Sequence, residues 1–341
     1  MEININGRKI GTGHPAFIIA EACDNHFGDL ERAKEMALRS KLAGVDAVKY
    51  QHHLPDAEML PEIPKSDNFD MPLYEFLRKY ALTLDDHREL KRYCEQIGII
   101  YLCTPFSWEA AKELEQIGVS AYKIGSGEMT DLPTLEKIAN FGKPMIISTG
   151  MSTWEEIDRT YNLLVSRNIP LVLNNCVSEY PPKYEDVNLG VIPKMIARYP
   201  KALIGHSDHT PDLFTCFAAR PLGAVVFEKH VTISRLLPGP DRDVSIEFDE
   251  LHELVDGIRK IEAASGADRK IHEREKQIRE WAFRSLVAWV DIKKGQKITT
   301  EMVWSKRPGT GIPAHRMNEV IGRMAANDIK ANTLLKWEDL A

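Results

Sequence analysis

The order of apolar runs and helical stretches predicts a (β/α)8 TIM barrel followed by a small β-rich C-terminal domain. Three observations carry this prediction. Between residues 17 and 264, eight short apolar runs alternate with eight stretches of helical periodicity. That order means a parallel sheet, and the count matches a closed barrel. A doubly wound open sheet shares the alternation but would usually carry a glycine fingerprint after its first strand, and none follows residues 17–21. After about residue 265 the composition shifts to a strongly charged stretch, then to short β-like runs and turns with little helix.

Taken in order, residues 3–10 read as a β-hairpin, with Asn6-Gly7 between alternating runs. Residues 17–21 read as the first barrel strand, and 30–42 place apolar residues at helical spacing. Further strands are expected at 45–51, 99–104, 121–124, 144–149, 171–176, 202–207 and 224–231. Helices are expected near 84–97, 107–117, from about 130, and near 154–166, 188–198, 212–220 and 248–264. A Pro- and Asp-rich excursion occupies about residues 52–82. The barrel is expected to span 1–265, a charged linker with some helix 266–284, and the small domain 285–341. The last is near the lower limit for an independent core.

The stretch from Ala121 to Glu128 concentrates the chemistry. An apolar run is interrupted by Lys123 and breaks at Gly125 and Gly127, presenting Ser126 and Glu128. Thr130 or Asp131 can cap the helix that follows, and Pro133 suits its first turn. A lysine inside a buried strand is costly unless an anion or partner meets it. A Gly-Ser-Gly loop opening onto a helix N-terminus offers backbone N–H groups to such an anion. A lysine paired with Glu128 beside a loop that merely turns reads equally well from this segment alone.

At 341 residues the chain suffices for one large domain and a small one. The net charge of −6 argues against a nucleic-acid footprint yet permits a locally positive pocket for an acidic substrate. No window approaches the roughly 18 apolar residues that span a membrane, and Met1-Glu2-Ile3-Asn4 has no secretory pattern. Five cysteines without a CxxC pair fit reduced thiols in the cytosol, so a cytoplasmic protein is expected. Cys23, Cys103 and Cys176 read as small buried residues.

In a barrel of this kind the C-terminal strand ends meet at one face, where active sites sit. Those ends bring Glu21, Lys49, Gln51, Thr104, Lys123, Ser126, Glu128, Ser148, Thr149, Ser178, Tyr180, His209 and His230 together. Two lysines among hydroxyls make a site for a small, multiply charged anion such as a phosphate with a carboxylate. His209 and His230, on adjacent strands, can reach one metal ion, and neutral imidazoles suit Mn, Fe, Co or Zn better than Ca. His206 reads as a packing or supporting residue. Pro238-Gly239-Pro240-Asp241 forms a rigid turn presenting a carboxylate to the same mouth.

These segments resemble the sialic acid synthase family. The matching stretches run from Phe17-Ile18-Ile19-Ala20-Glu21 and Asn25-His26 through Val48-Lys49-Tyr50-Gln51, Thr104-Pro105-Phe106-Ser107 and the run Tyr122 to Glu128. They continue through Ser148-Thr149-Gly150-Met151, Tyr180-Pro181, the run Gly205 to Thr210, Glu228-Lys229-His230 and Pro238 to Asp241. The small domain, with Lys306 to Gly311, resembles that family's antifreeze-like (SAF) domain. The resemblance implies condensation of phosphoenolpyruvate with an N-acetylmannosamine-type sugar. It implies that Lys49, Thr104, Lys123, Ser126, Ser148 and Ser178 hold phosphoenolpyruvate. His209 and His230 would bind a divalent metal, typically Mn2+, with Mg2+ or Co2+ as alternatives. Glu128 would handle a proton, with Glu21 and Lys123 also in catalytic positions, while an electrostatic role for Glu128 stays open. Gln51, Phe106, Tyr180, Asp241 and, from a partner subunit's small domain, Arg307 would contact the sugar, which implies a domain-swapped homodimer. Cys23, His52, Asn175, His206 and Arg242 depart from the family's usual residues, in segments expected near the mouth where the sugar should sit.

The first expectation is therefore an N-acetylneuraminate synthase. The alternative is the same chemistry on a 2,4-diacetamido-2,4,6-trideoxy hexose, giving a legionaminic or pseudaminic acid; one altered substituent changes few contacts. A metal-dependent hydrolase would need a His-x-His pair at the end of strand one, which Glu21 to His26 does not provide. A non-catalytic glycan-binding protein is opposed by the lysines and paired histidines.

Overall fold

The computed structural model describes residues 1–63 and 71–341; residues 64–70, inside the Pro- and Asp-rich excursion, lie outside the described residues. The described chain forms two compact units, Met1–Ser265 and Gly266–Ala341.

The first unit opens on an antiparallel hairpin, β1 (Glu2–Ile5) and β2 (Arg8–Gly11). Its turn needs positive φ at both central residues, and Asn6 (49°) and Gly7 (83°) supply it. Eight parallel strands then close a barrel: β3 (Phe17–Glu21), β4 (Ala47–His52), β5 (Ile100–Pro105), β6 (Tyr122–Ile124), β7 (Met145–Ser148), β8 (Leu171–Cys176), β9 (Leu203–Asp208) and β10 (Val226–His230), with β10 pairing β3. Helices cover the outside, so almost every strand residue is buried and the strands read as near-continuous apolar runs.

Alternation along the strands decides what faces the lumen. Phe17, Ile19, Ala47, Leu102, Ala121, Ile146, Val172, Leu203 and Val226 form one interior cluster. Ile3, Ile5 and Ile10 of the hairpin join it, which places the hairpin at the N-terminal end of the barrel. Ile18, Ala20, Val48, Tyr50, Tyr122, Ile124 and Phe227 belong to the outer cluster beneath the helices. Two residues further along six of these lumen-facing series the chemistry turns polar: Ile19 is followed by Glu21, Ala47 by Lys49, Leu102 by Thr104, Ala121 by Lys123, Ile146 by Ser148 and Val226 by Glu228. The same alternation that fills the barrel also aims the polar residues into its mouth.

Helix boundaries follow local capping. Thr83 and Thr153 each form a capping box, with Asp86 and Glu156, and Ser107 and Asp131 accept from the first-turn amides of their helices. The helix expected near 188–198 runs from Val191 to Arg198, and a short helix not expected from the sequence, Tyr184–Val187, precedes it and ends where Asn188 adopts a left-handed conformation (φ 48°). The excursion contains helices Pro55–Glu58 and Leu73–Tyr80. The second unit comprises helix Glu273–Ala282 and an antiparallel pair, β11 (Ser285–Ala288) and β12 (Val303–Lys306). Leu286, Ile292, Ile298, Val303, Val320 and Leu335 give it a core of its own. Among the described residues, no helix is long and apolar enough to cross a membrane.

Candidate active site at the barrel mouth

The C-terminal strand ends surround a cavity of about 700 Å3, within the range of small-molecule sites. Its lining includes Glu21, Lys49, Gln51, Thr104, Phe106, Lys123, Ser126, Glu128, Ser148, Ser178, Tyr180, His209, His230 and Asp241. The site residues expected in the first unit are thus brought together, except Thr149, whose Oγ1 donates to the Asn174 carbonyl (2.9 Å) and which does not line the cavity. Arg307 lies in the second unit, where its Nε donates to the Ala282 carbonyl (3.0 Å) and its guanidinium sits over the Trp281 ring.

Four charges form the floor. The Lys49 ammonium meets the Glu21 carboxylate, donates to Thr104 Oγ1 (3.0 Å) and lies 3.5 Å from Glu228. Lys123 donates to Glu228 Oε1 at 3.1 Å. The partner of Lys123 is therefore Glu228 and not Glu128, because Lys123 and Glu228 both take lumen-facing places. All four side chains are buried. Burial pushes the Glu21 carboxyl up, and the nearby Glu228 charge adds to this, while Lys49 opposes it. Burial acts the same way on Glu228, but Lys123 and Lys49 together overcome it and hold that carboxyl low. Buried lysines are retained as cations only with such partners.

Hydroxyls form one wall. Ser126 Oγ accepts from the Gly150 amide (3.1 Å), and the buried Ser148 Oγ has no hydrogen-bond partner. A Cβ on Gly150 would overlap both Ser178 Oγ and Ser126 Oγ, so glycine lets two hydroxyls close around bare backbone. Gly125 does the same for Glu128, whose Oε2 occupies the space a side chain there would need. That Oε2 is buried without a partner, and burial pushes the Glu128 carboxyl up.

The histidines form another wall. Their rings lie 5.1 Å apart, and Tyr180 stacks on His209 (4.2 Å) and meets His230 edge-on (6.0 Å). His209 Nδ1 donates to the Val177 carbonyl at 2.7 Å, which leaves Nε2 as the basic nitrogen. Burial, then the neighbouring His209 and lysines, hold His230 well below its ordinary value and therefore neutral. Its buried Nδ1 has no hydrogen-bond partner. Burial lowers His209, but Cys176 and the Val177 carbonyl hold it above its ordinary value, so the neutral ring of the pair is His230. Its unsatisfied nitrogen, the His209 Nε2 and the nearby Asp241 carboxylate make a donor set that fits a divalent cation.

Several lining residues were not singled out from the sequence. Glu228 shares the lumen-facing phase of His230, two positions on, and that parity could have found it. Asp24, His53 and the apolar Leu73 and Leu77 come from loops and a helix outside the strands, where no period points to them. His53 donates from Nε2 to Gln51 Oε1 (3.0 Å) and from Nδ1 to Glu58 Oε1 (3.0 Å) and stacks on Phe106 (4.2 Å). The departures expected near the sugar require correction. His52 bonds Glu113 (2.7 Å) and packs on His87, while His206 Nδ1 meets the Asn175 carbonyl (3.2 Å). These three residues are out of phase with the lumen, Arg242 pairs with Asp243 (3.0 Å), and none of the four lines the cavity.

A closed parallel barrel whose mouth collects paired buried lysines, hydroxyls and a histidine pair defines a TIM-barrel enzyme with a polar, charge-lined site. The chain belongs to the NeuB family, which matches residues 36–270, and a SAF domain matches residues 283–341. It is 35% identical to N,N'-diacetyllegionaminic acid synthase of Legionella pneumophila, over 98% of both chains. It is also 35% identical to pseudaminic acid synthase of Campylobacter jejuni, over 97% of this chain and 98% of that one. The crystal structure of a sialic acid synthetase from Leptospira borgpetersenii, in complex with citrate, superposes with a TM-score of 0.73 at 29% identity. It covers 82% of this chain and 95% of the other.

Proposed function

We propose that this chain joins phosphoenolpyruvate to the open-chain aldehyde of an N-acetylated amino sugar, releasing phosphate and leaving a nine-carbon 2-keto acid. The observation that carries this reading is the pair of buried lysines, Lys49 and Lys123, aimed into one cavity beside Thr104, Ser126, Ser148 and Ser178. A phosphate with a carboxylate matches two ammonium groups and the hydroxyl cradle at Gly150. On this reading Lys49, Thr104 and Lys123 lie along the anion while the serines close around its oxygens.

C3 of the enol ether attacks the sugar aldehyde, and water adds at the resulting C2 cation. The tetrahedral intermediate then expels phosphate by C–O cleavage. Glu128, raised by burial and unpartnered at Oε2, is placed to hold the proton moved between that water and the departing phosphate. Glu21, bound by Gln51 Nε2 at 3.0 Å, fixes the amide that faces the sugar end. Tyr180, Phe106 and Asp241 shape that end. A divalent cation held by His209 and His230, manganese by the resemblance, would polarise the aldehyde oxygen as a Lewis acid. The resemblance also places Arg307 against the sugar of a partner subunit in a homodimer; mass in solution and the KM for sugar in Arg307→Ala check this. The five buried, free cysteines accord with a cytoplasmic enzyme.

Two acceptors fit. N-acetylmannosamine, giving N-acetylneuraminate, matches the hydrogen-bonding groups of Gln51, His53 and Asp24. A 2,4-diacetamido-2,4,6-trideoxy hexose, giving a legionaminic or pseudaminic acid, is favoured by the apolar wall of Leu73 and Leu77 facing the same cavity. Phosphate release from phosphoenolpyruvate, with both sugars offered in parallel, tests the reading. Release that depends on one of them supports it and names the acceptor; no release with either, from folded protein given Mn2+, Co2+ and Zn2+ in turn, overturns it.

A further inference from the structure

We propose that Cys23 supplies a thiolate to the cation at the barrel mouth, so that this chain holds its metal through sulfur, nitrogen and oxygen. The cations that suit such a set are Zn2+, Fe2+ and Co2+ in preference to Mn2+ or Mg2+. Cys23 stands two residues beyond the end of β3 and is fully buried. Its thiol, a ring nitrogen of His230 and a carboxylate oxygen of Asp241 all lie within 4.8 Å of one another. The three come from the loop after β3, the end of β10 and the turn that follows it, so the fold converges them on one point.

A second observation is independent of the thiol. His230 Nδ1 is buried without a hydrogen-bond partner, and Asp241 Oδ2 stands 3.8 Å from it, beyond hydrogen-bond reach. The Cys23 thiol and the Asp241 carboxylate meet each other, and the buried imidazole nitrogen beside them is satisfied by no protein group; a cation shared by the three would satisfy it. The His209 ring, 5.1 Å from His230, stands beside the same point. Cys23 also has a left-handed backbone, φ 40°, where glycine fits without strain.

The sulfur changes the selectivity. Thiolate is a soft donor and draws Zn2+, Co2+ and Fe2+, whereas Mn2+ and Mg2+ prefer oxygen. As the sulfur–metal bond forms, the thiol proton leaves to water. Cys176, 4.0 Å from His209 Nδ1, faces a nitrogen already engaged by Val177 and serves as the internal control. The proposal rests on the reading of His209 and His230 as a cation site, and Cys23 is the addition to it.

Titration of the metal-free full-length protein with Co2+ tests this by absorption. The expected result is binding with an intense thiolate-to-cobalt charge-transfer band in the near ultraviolet, displaced by Zn2+ and not by equal Mn2+. Cys23→Gly, which relieves the positive φ and so favours folding, and Cys23→Ser should lose the band and bind Co2+ about tenfold or more weakly. Cys176→Ser should keep the band. Co2+ binding without the band, or a band that survives Cys23→Gly, overturns the sulfur donor while leaving sugar-dependent phosphate release standing. Failure of Co2+ to bind folded protein removes the cation site and the proposal with it.

Discussion

Lys123 is a full positive charge at the floor of the cavity, and its closest partner is the equally buried Glu228. Lys123→Met removes a preorganised cation from where the substrate's charge must sit. We expect kcat/KM for phosphoenolpyruvate to fall roughly 100-fold or more, measured by phosphate release, with far-ultraviolet circular dichroism unchanged. A binding protein with a degenerate barrel would lose nothing in such an assay. His26 makes a prediction of a different kind. Its Nδ1 accepts from the Gly28 amide (3.0 Å), and burial lowers it to about 4. The unfolded chain therefore binds the additional proton between about 4 and the ordinary value near 6.5, so stability rises with pH across that window and is lost as pH falls through it. Between pH 7 and pH 5 this group alone should cost about 2 kcal/mol, and His26→Gln should show a correspondingly smaller fall in denaturation midpoint.

Strand ends are where the sequence was most readable, and the reason is the two-residue period of a strand. Once a lumen-facing apolar residue is fixed in each strand, the polar residue two places on must enter the mouth. Lys49, Thr104, Lys123 and Ser148 follow from that rule, and His230 from its next repeat. Glu228 obeys the same rule and was passed over only because a Glu-Lys-His run draws attention to its histidine. His53, Asp24 and Leu77 were not legible because loops and the excursion carry no phase relative to the barrel. His52 and Asn175 were misplaced for the converse reason: adjacency in sequence to Gln51 or Cys176 puts a strand residue on the opposite face. At the element scale the ends of β9 and β10 are pinned by an outward-facing pair. Asp208 Oδ2 accepts from the fully buried Lys229 (2.6 Å) and from Thr210 Oγ1 (2.8 Å). Each member immediately precedes a histidine of the pair. Lys229→Met removes the buried cation paired with Asp208, leaving His206 (3.5 Å) as its remaining ionisable neighbour, and should destabilise the barrel by about 3 kcal/mol. The double variant Asp208→Asn with Lys229→Met should recover part of that loss in chemical denaturation. At the wall, Gly150→Ala would drive a methyl group into Ser126 and Ser178. The KM for phosphoenolpyruvate should rise more than tenfold, an order typical of one misplaced contact; an unchanged KM would remove the serine cradle from the account.

At the scale of the whole molecule, one barrel supplies every strand-end group and a second unit carries Arg307. The two units have separate cores, Val172 and Phe227 standing in the clusters of the first and Leu286 and Leu335 in that of the second. Residues 1–265 alone should therefore unfold cooperatively, read by thermal circular dichroism. The alternating order of strands and helices made this architecture readable, because a closed parallel barrel leaves few other ways to bury eight two-sided strands. The acceptor sugar was not readable, since it is chosen by side chains such as Leu73 and His53 that no period places. The central claim is that phosphoenolpyruvate loses its phosphate by C–O cleavage only when a sugar aldehyde is attacked. Phosphoenolpyruvate carrying heavy oxygen at its bridging position tests this most directly, with the products read by mass spectrometry. The account predicts sugar-dependent release of phosphate that retains the heavy oxygen, together with a keto acid formed from both substrates. Release without sugar, or heavy oxygen left in the organic product, would contradict it.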